Sequence, residues 1–420
     1  MRFEVFPKIY RADKTQCVNV KLNEDYVKGE TVYIKIQPME HYTVEHTPLY
    51  RIDEEYRYEF FEATKRSDGV YSLEYKFTGE QKYNVKIKIG ENIVNSPRYI
   101  YSAADDLLAL KPLKADTHLH TSGSDGKETP FEVCINYRRE GYDFIAITDH
   151  HKMYPSVEAK ECFEALTREF FVVRAEEVHN KSMGYFHIIN LGGNISVNEI
   201  IEAGDGYAEA EVERHLSENK YPEGTTPYIC AYRNFVSEMI RRGGGVAVMA
   251  HPFWSCYGEY NMPLEDVKYL LSSGCYDALE LLAGCDNNGN GNNLQIALWQ
   301  ELLYDGVRIP VLGASDAHSS TENDPLFNKQ FSIVFAKSND EVLGAIKDFR
   351  SVAVEIKSDN TFSVHGSLRL VKYARFLLDE YYPDYVKLTA EHAAALEVGD
   401  QKSIMEIEEK IAEYRAHIFS

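Results

Sequence analysis

The segment Asp116-Thr117-His118-Leu119-His120 sets two histidines two residues apart. Alternate side chains of an extended strand point the same way, so a His-x-His puts two imidazoles on one face, near enough to hold a single cation. Related chemistry recurs down the chain. Phe144-Ile145-Ala146-Ile147 runs into Thr148-Asp149-His150, and Phe170-Phe171-Val172-Val173 runs into Arg174-Ala175-Glu176-Glu177. Gly245-Val246-Ala247-Val248-Met249-Ala250 runs into His251, and Ile309-Pro310-Val311-Leu312-Gly313-Ala314 runs into Ser315-Asp316-Ala317-His318. One histidine after a strand is more often structural than a ligand; the repetition carries the inference. Imidazoles and carboxylates without thiolates suit zinc, manganese or iron. Such ions lower the pKa of bound water toward neutrality, which turns it into a nucleophile for hydrolysis.

Positioning such residues calls for alternating strands and helices. Apolar strands that each end in a ligand-type residue are expected of a (β/α) barrel, where those ends converge on one face. Thr129-Pro130-Phe131-Glu132 reads as a capping box with proline at the first helical position, and Gly141 closes that helix. Tyr185 to Leu191, which carries His187, and Tyr276 to Leu281 read as further barrel strands. The acidic, poorly periodic stretch from Asn194 to Gly224 reads as a loop insertion able to form a lid.

The flanks differ. Residues 1–105 carry period-two segments, Cys17 to Leu22, Val32 to Ile36, Tyr56 to Phe60 and Tyr83 to Ile89, the pattern of an antiparallel β-sandwich. No chemistry clusters there, so packing or dimerisation is its expected role, with gating of a ligand or substrate the alternative. Residues 106–365 would form the barrel. Residues 366–420 are helical in spacing, from Leu368 to Tyr382 and from Lys402 to His417, with Pro383 and Gly399 as breaks; that tail would cover the barrel or pair subunits.

Composition narrows the function classes. The 420 residues hold 66 acidic against 45 basic side chains, a formal net charge of -21, which speaks against non-specific nucleic-acid binding. The seven cysteines are scattered without a Cys-x-x-Cys, so neither a disulfide framework nor a thiolate zinc site is expected. No run has signal-peptide or membrane-spanning character, and the expected location is cytoplasmic.

Five motifs in order resemble the polymerase and histidinol phosphatase (PHP) superfamily over roughly residues 114–355: His118-x-His120 with Ser124-Asp125-Gly126, Thr148-Asp149-His150, Glu177 followed by His187, Ala250-His251-Pro252, and Ser315-Asp316-Ala317-His318. The resemblance implies a distorted seven-stranded (β/α) barrel with two or three divalent ions (Zn, Mn or Fe) that hydrolyses phosphate esters. It implies a first ion on His118, His120, Glu177 and Asp316, a second on Glu177, His187 and His251, and a third on Asp125, His150 and His318. Some branches carry histidine where this chain has Asp125; the aspartate resembles the branch with nucleotide and small-molecule phosphoesterases. Of the adjacent Glu176 and Glu177, which face opposite ways on a strand, Glu177 fits the pattern. Asp149 would either orient His150 or satisfy local backbone amides.

The expected activity is hydrolysis of a small phosphorylated metabolite or nucleotide, with no general acid assigned. A 3'-5' exonuclease and a non-catalytic, metal-stabilised binding module are the alternatives. A homo-oligomer is compatible with the helical tail. His151, Lys152, His179 and His215 have no motif support. Gly289-Asn290-Gly291-Asn292-Asn293 lacks a full G-x-G-x-x-G and reads as a loop at the barrel mouth whose asparagines could bond substrate, while Gly243-Gly244-Gly245 reads as a helix stop.

Overall fold

The computed structural model describes residues 3–40, 59–179, 187–256, 258–284 and 290–419. The chain divides into two compact units, Met1–Leu110 with Phe376–Tyr385 and Glu409–Ser420, and Lys111–Arg375 with Val386–Glu408. The C-terminal helices, Leu368–Glu380, Tyr382–Val398 and Gln401–Ile418, thus contribute to both. Pro383 is the second residue of the middle helix, a position where its missing N–H costs nothing.

The first unit holds β1 (Glu4–Phe6), β2 (Ile9–Arg11), β3 (Thr15–Lys21), β4 (Val32–Pro38), β5 (Phe61–Glu62), β6 (Thr64–Lys65), β7 (Tyr71–Lys76), β8 (Gln81–Ile89) and β9 (Asn92–Ala103). They form two sheets, ordered β1-β3-β7-β6 and β2-β9-β8-β4-β5. Val18, Val20 and Tyr71 from one sheet share an apolar core with Ile34, Val85 and Ile87 from the other. Along β8 buried and half-buried residues alternate strictly, as expected of a sheet with one wet face. The expectation of purely antiparallel pairing fails at β2, which pairs parallel with β9; the long intervening chain permits what a tight turn would forbid. Tyr56 to Tyr58 lie outside the described residues.

The second unit holds β10 (Lys111–Leu119), β11 (Phe144–Ile147), β12 (Phe171–Val173), β13 (Ala175–Val178), β14 (Ile188–Leu191), β15 (Val246–Met249), β16 (Ser255–Cys256), β17 (Glu259–Tyr260), β18 (Ala278–Ala283), β19 (Val311–Ala314), β20 (Gln330–Ala336), β21 (Ser351–Ile356) and β22 (Phe362–His365). Two larger sheets result, β12-β11-β10-β20-β21-β22 and β13-β14-β15-β18-β19. β10, β11 and β12 run parallel, as do β15, β18 and β19. β14 is antiparallel to both β13 and β15, a departure from the regular strand-helix rhythm. The segment between β13 and β14 is too short for the helical crossover that a parallel pair requires. Isolated bridges pair Leu119 with Ala317 and His150 with Glu177, next to the ends of both sheets' strands. The molecule is therefore a mixed α/β protein with several sheets.

Helix Pro130–Arg139 begins with the expected capping box, Thr129 accepting from the Glu132 amide and Glu132 from the Thr129 amide, and Gly141 leaves it at φ 87°. The stretch from Asn194 to Gly224 is not the expected loop. It contains helices Val197–Glu202 and Tyr207–Glu218, the latter burying only Ala208, Val212 and His215. So narrow an apolar stripe amid carboxylates gives little periodicity to read, yet its residues join a core with Phe235 and Val236 of helix Pro227–Arg242.

Candidate metal centre

β11, β15 and β19 are four-residue strands buried on both faces. Polar side chains gather where these strands end. His118 and His120 come from the end of β10, His150 follows β11, Glu177 lies on β13, His187 immediately precedes β14, His251 follows β15, and Asp316 and His318 follow β19. All nine expected ligands meet in one cluster. Within it, four overlapping groups hold ligand atoms mutually within 4.8 Å: His118, His120 and Glu177; His118, His251 and Asp316; His150, Glu177 and His187; and His120, Asp125, His150 and His318.

Glu177 is the hub. Its Oε2 is 3.0 Å from His150 Nδ1, 3.3 Å from His118 Nε2 and 3.4 Å from His120 Nε2, while Oε1 meets His187 Nδ1 and stands 3.7 Å from His251 Nε2. Asp316 Oδ1 lies 3.0 Å from His120 Nε2 and 3.2 Å from His118 Nε2. Asp125 is turned toward the cluster, 3.6 Å from both His120 and His150 and 3.4 Å from His318. The grouping differs from the expected division at three places: His251 gathers with His118 and Asp316, His150 gathers also with Glu177 and His187, and His120 reaches into the Asp125 group through its Nδ1.

The donor set fits divalent ions. Both ring nitrogens of buried His251 and the Oε2 of buried Glu177 have no hydrogen-bond partner among the described residues. Leaving such groups unpaired costs about 1–3 kcal/mol each. Glu177 Oε2 sits at contact distance from three imidazoles without hydrogen-bond alignment, which suits lone pairs converging on a shared ion.

Electrostatics tell the same story. Burial works against charge on His118, but Glu280, Asp316 and Glu177 outweigh it and raise its pKa well above the ordinary value. Burial likewise opposes ionisation of Glu177, and the surrounding His187, His150 and His118 hold it well below the usual carboxylate range. His318 is pushed up to about 9, burial being outweighed by its bond to Asp125 and the charge of Asp316. The centre thus sets proton-holding imidazoles beside a carboxylate held ionised, and a cation bound there would have to displace those protons.

Backbone strain marks the same place. His251 (φ 21°) and Asp316 (φ 52°) adopt left-handed conformations without being glycine, as does His151 (φ 62°). Such residues cost of order 1–3 kcal/mol and persist where the surroundings over-determine them.

The supports were only partly foreseen. Asp149 does not orient His150: its carboxylate accepts from the Thr121 and Ser124 amides and hydroxyls, organising the turn that carries Asp125. Of the glutamate pair, Glu176 faces away, bonded to Asn190, Ser196, Val197 and Asn198. Asp116, unassigned from sequence, accepts from the His118 and Ser315 amides and from Tyr137 Oη, tying two ligand-bearing segments together. Burial raises its pKa to about 6. Glu280 likewise carries no assignment from sequence, although it lies in the expected strand Tyr276 to Leu281: its Oε1 is 2.9 Å from His118 Nδ1.

Around the rim, His179 packs 4.9 Å from the rings of His150 and His151, His151 pairs with Glu202 at 3.1 Å, and Lys152 donates to the Gly123 carbonyl. Burial and the neighbouring His187 and His150 bring His179 down to about 4. His215 pairs with Glu238 between two helices, apart from the cluster. Gly243 caps a helix as expected. Cys285 to Gly289 lie outside the described residues, while Asn292 bonds the backbone of Ala283 on β18.

No family model and no curated protein matches the chain. Solved structures do. A two-domain protein containing a predicted PHP-like metal-dependent phosphoesterase from Bacteroides vulgatus is 20% identical with a TM-score of 0.41; the match covers 58% of this chain and 65% of that one, just under two thirds of its length. A candidate metal-dependent phosphoesterase from Bifidobacterium adolescentis is 20% identical with a TM-score of 0.38, over 55% and 94%. An amidohydrolase from Chromobacterium violaceum, solved with sulfate and no metal, is 18% identical with a TM-score of 0.34, over 51% and 93%.

Proposed function

We propose that the chain is a PHP-type, metal-dependent phosphoesterase acting on a small phosphorylated molecule. The carrying observation is the convergence of nine imidazole and carboxylate side chains from strand ends spread over two hundred residues, with ligand atoms of overlapping groups within 4.8 Å. In this reading the bridges Leu119 to Ala317 and His150 to Glu177 close β10, β11, β13, β14, β15, β18 and β19 into a distorted seven-stranded barrel. Residues 1–105 are an accessory β domain and 366–420 a helical segment.

His118, His120, His251, Glu177 and Asp316 would hold ions at the buried floor, Glu177 sharing its second oxygen with His187, and Asp125, His150 and His318 would hold a further ion at the rim. Two or three zinc, manganese or iron ions would supply an activated water and neutralise charge on a phosphate. The chain's own residues position and shield. Glu177 is fully buried, whereas the Asp125 and His318 side chains are 54% and 38% exposed, so the ester would approach from that side. No nucleophile of the chain is needed, because positioning and electrostatics carry phosphoryl transfer.

The partner is the substrate itself, with nucleic acid disfavoured by the acidic balance, the location cytoplasmic, and self-association through the helical tail open to test by light scattering. The deciding experiment is metal analysis of purified protein followed by a screen of phosphorylated metabolites and nucleotides. Stoichiometric transition metal with phosphate release from some of them is expected. Absence of both after reconstitution with zinc, manganese and iron overturns the reading.

A further inference from the structure

Glu280 is fully buried on β18, between β15, which leads to His251, and β19, which leads to Asp316. Its two oxygens do different things. Oε1 lies 2.9 Å from His118 Nδ1, and Oε2 accepts the peptide N–H of His251 at 3.2 Å. Three local features fix it there. The pairing of β18 with β19 slips register between Glu280 and Leu282, an irregularity of the kind that re-aims a side chain. Gln295, from helix Asn290–Tyr304, donates to the carbonyls of Glu280 and Leu281. The donating peptide N–H belongs to His251, whose φ of 21° needs an external hold.

We propose that Glu280 is a positioning residue that fixes two ligands at once. With Oε1 accepting, the His118 proton resides on Nδ1, which leaves the Nε2 lone pair facing Glu177 and Asp316, 3.3 and 3.2 Å away. With Oε2 accepting, the strained backbone of His251 holds its imidazole beside that of His118, ring centroids 5.5 Å apart. One carboxylate thereby couples two ligands from separate strands. This inference rests on the metal-centre reading above.

Glu280→Gln is the sharpest probe because it keeps size and shape. The amide oxygen can still accept from His118, but the amide nitrogen then meets the His251 N–H donor to donor, so one of the two bonds is lost. Zinc affinity should fall about 10–100-fold in competition against a chromophoric chelator. In zinc-loaded, 15N-histidine-labelled protein, the slowly exchanging Nδ1–H signal of His118, present in the parent, should weaken or shift. Asp266→Asn serves as the structural comparison: it alters a buried carboxylate that accepts the Thr226 amide in the same unit, and should change stability without changing zinc affinity. If Glu280→Gln folds, binds zinc as the parent does and keeps the His118 signal, the positioning role is wrong while the metal centre stands. If the parent itself takes up no zinc, manganese or iron, the metal-centre reading fails, and this role with it.

Discussion

The strands of the two units bury their side chains differently, and the difference explains where chemistry can sit. In the first unit β8 alternates buried and half-buried positions; its inward residues Tyr83, Val85, Ile87 and Ile89 are apolar or aromatic, and the one polar inward residue, Gln81, stands at the strand's start with its amide bonded to backbone. In the second unit β11, β15 and β19 have no wet face. A polar side chain there must find a partner or leave the strand, because burying it alone is costly. Polar groups therefore collect at strand ends, where the clustered carboxylates and imidazoles of the second unit could hold a metal ion.

The strongest way to break this contrast is to remove the hub. Glu177→Gln keeps the volume but removes the charge that five imidazoles face. Metal content, read by elemental analysis, and phosphate release should each fall at least ~100-fold, more than for loss of a supporting residue alone. Unchanged metal content would show the cluster to be an ion-pair network. Ile34→Ala makes the opposite cut. It opens a cavity in the first unit's apolar core, which should cost ~2–5 kcal/mol of that unit's stability in denaturant unfolding and leave metal content untouched. A parallel loss of metal would deny the separation of roles.

Legibility follows the same division. The ends of short two-sided strands could be read because nothing but function or burial explains a histidine or carboxylate after each apolar run, and all nine expected ligands, six histidines and three carboxylates, do converge. What stayed hidden depends on contacts between distant segments. Asp116 and Glu280 look like ordinary strand polar residues until Ser315 and His251 are brought against them. The two helices between Val197 and Glu218 escaped because an apolar stripe of three residues among carboxylates carries almost no period. The antiparallel turn of β14 escaped because strand direction is a property of the connection, not of the strand's own residues.

A subtler test uses acid. His392 accepts from Arg138 Nε at 3.0 Å inside the second unit, and burial, aided by the Arg138 charge, brings its pKa down to about 3. Glu408, 3.7 Å away, is the carboxylate facing it, and accepts from Thr167 at 2.6 Å. The unfolded chain takes up a proton at this histidine near pH 6.5, the folded chain only near 3, so acid favours unfolding across that window and stability recovers as pH rises through it. The loss should approach ~1 kcal/mol per pH unit below 6.5. His392→Gln should flatten this slope in urea unfolding monitored between pH 7 and 4.5; an unchanged slope would assign the acid sensitivity elsewhere.

The smallest effect concerns a helix that supports the centre without touching an expected ligand side chain. Thr129→Ala removes the side-chain acceptor of the capping box at the start of Pro130–Arg139, which should cost ~1 kcal/mol. Tyr137 lies near the far end of that helix and donates to Asp116, the residue that joins the His118 and Ser315 amides. If the helix serves only as packing, zinc affinity should be the same as in the parent after the stability loss. If the cap helps set the position of Tyr137, a small fall in affinity should accompany it, and Tyr137→Phe, which keeps the ring and removes the bond to Asp116, should reproduce the fall in affinity while leaving the cap intact.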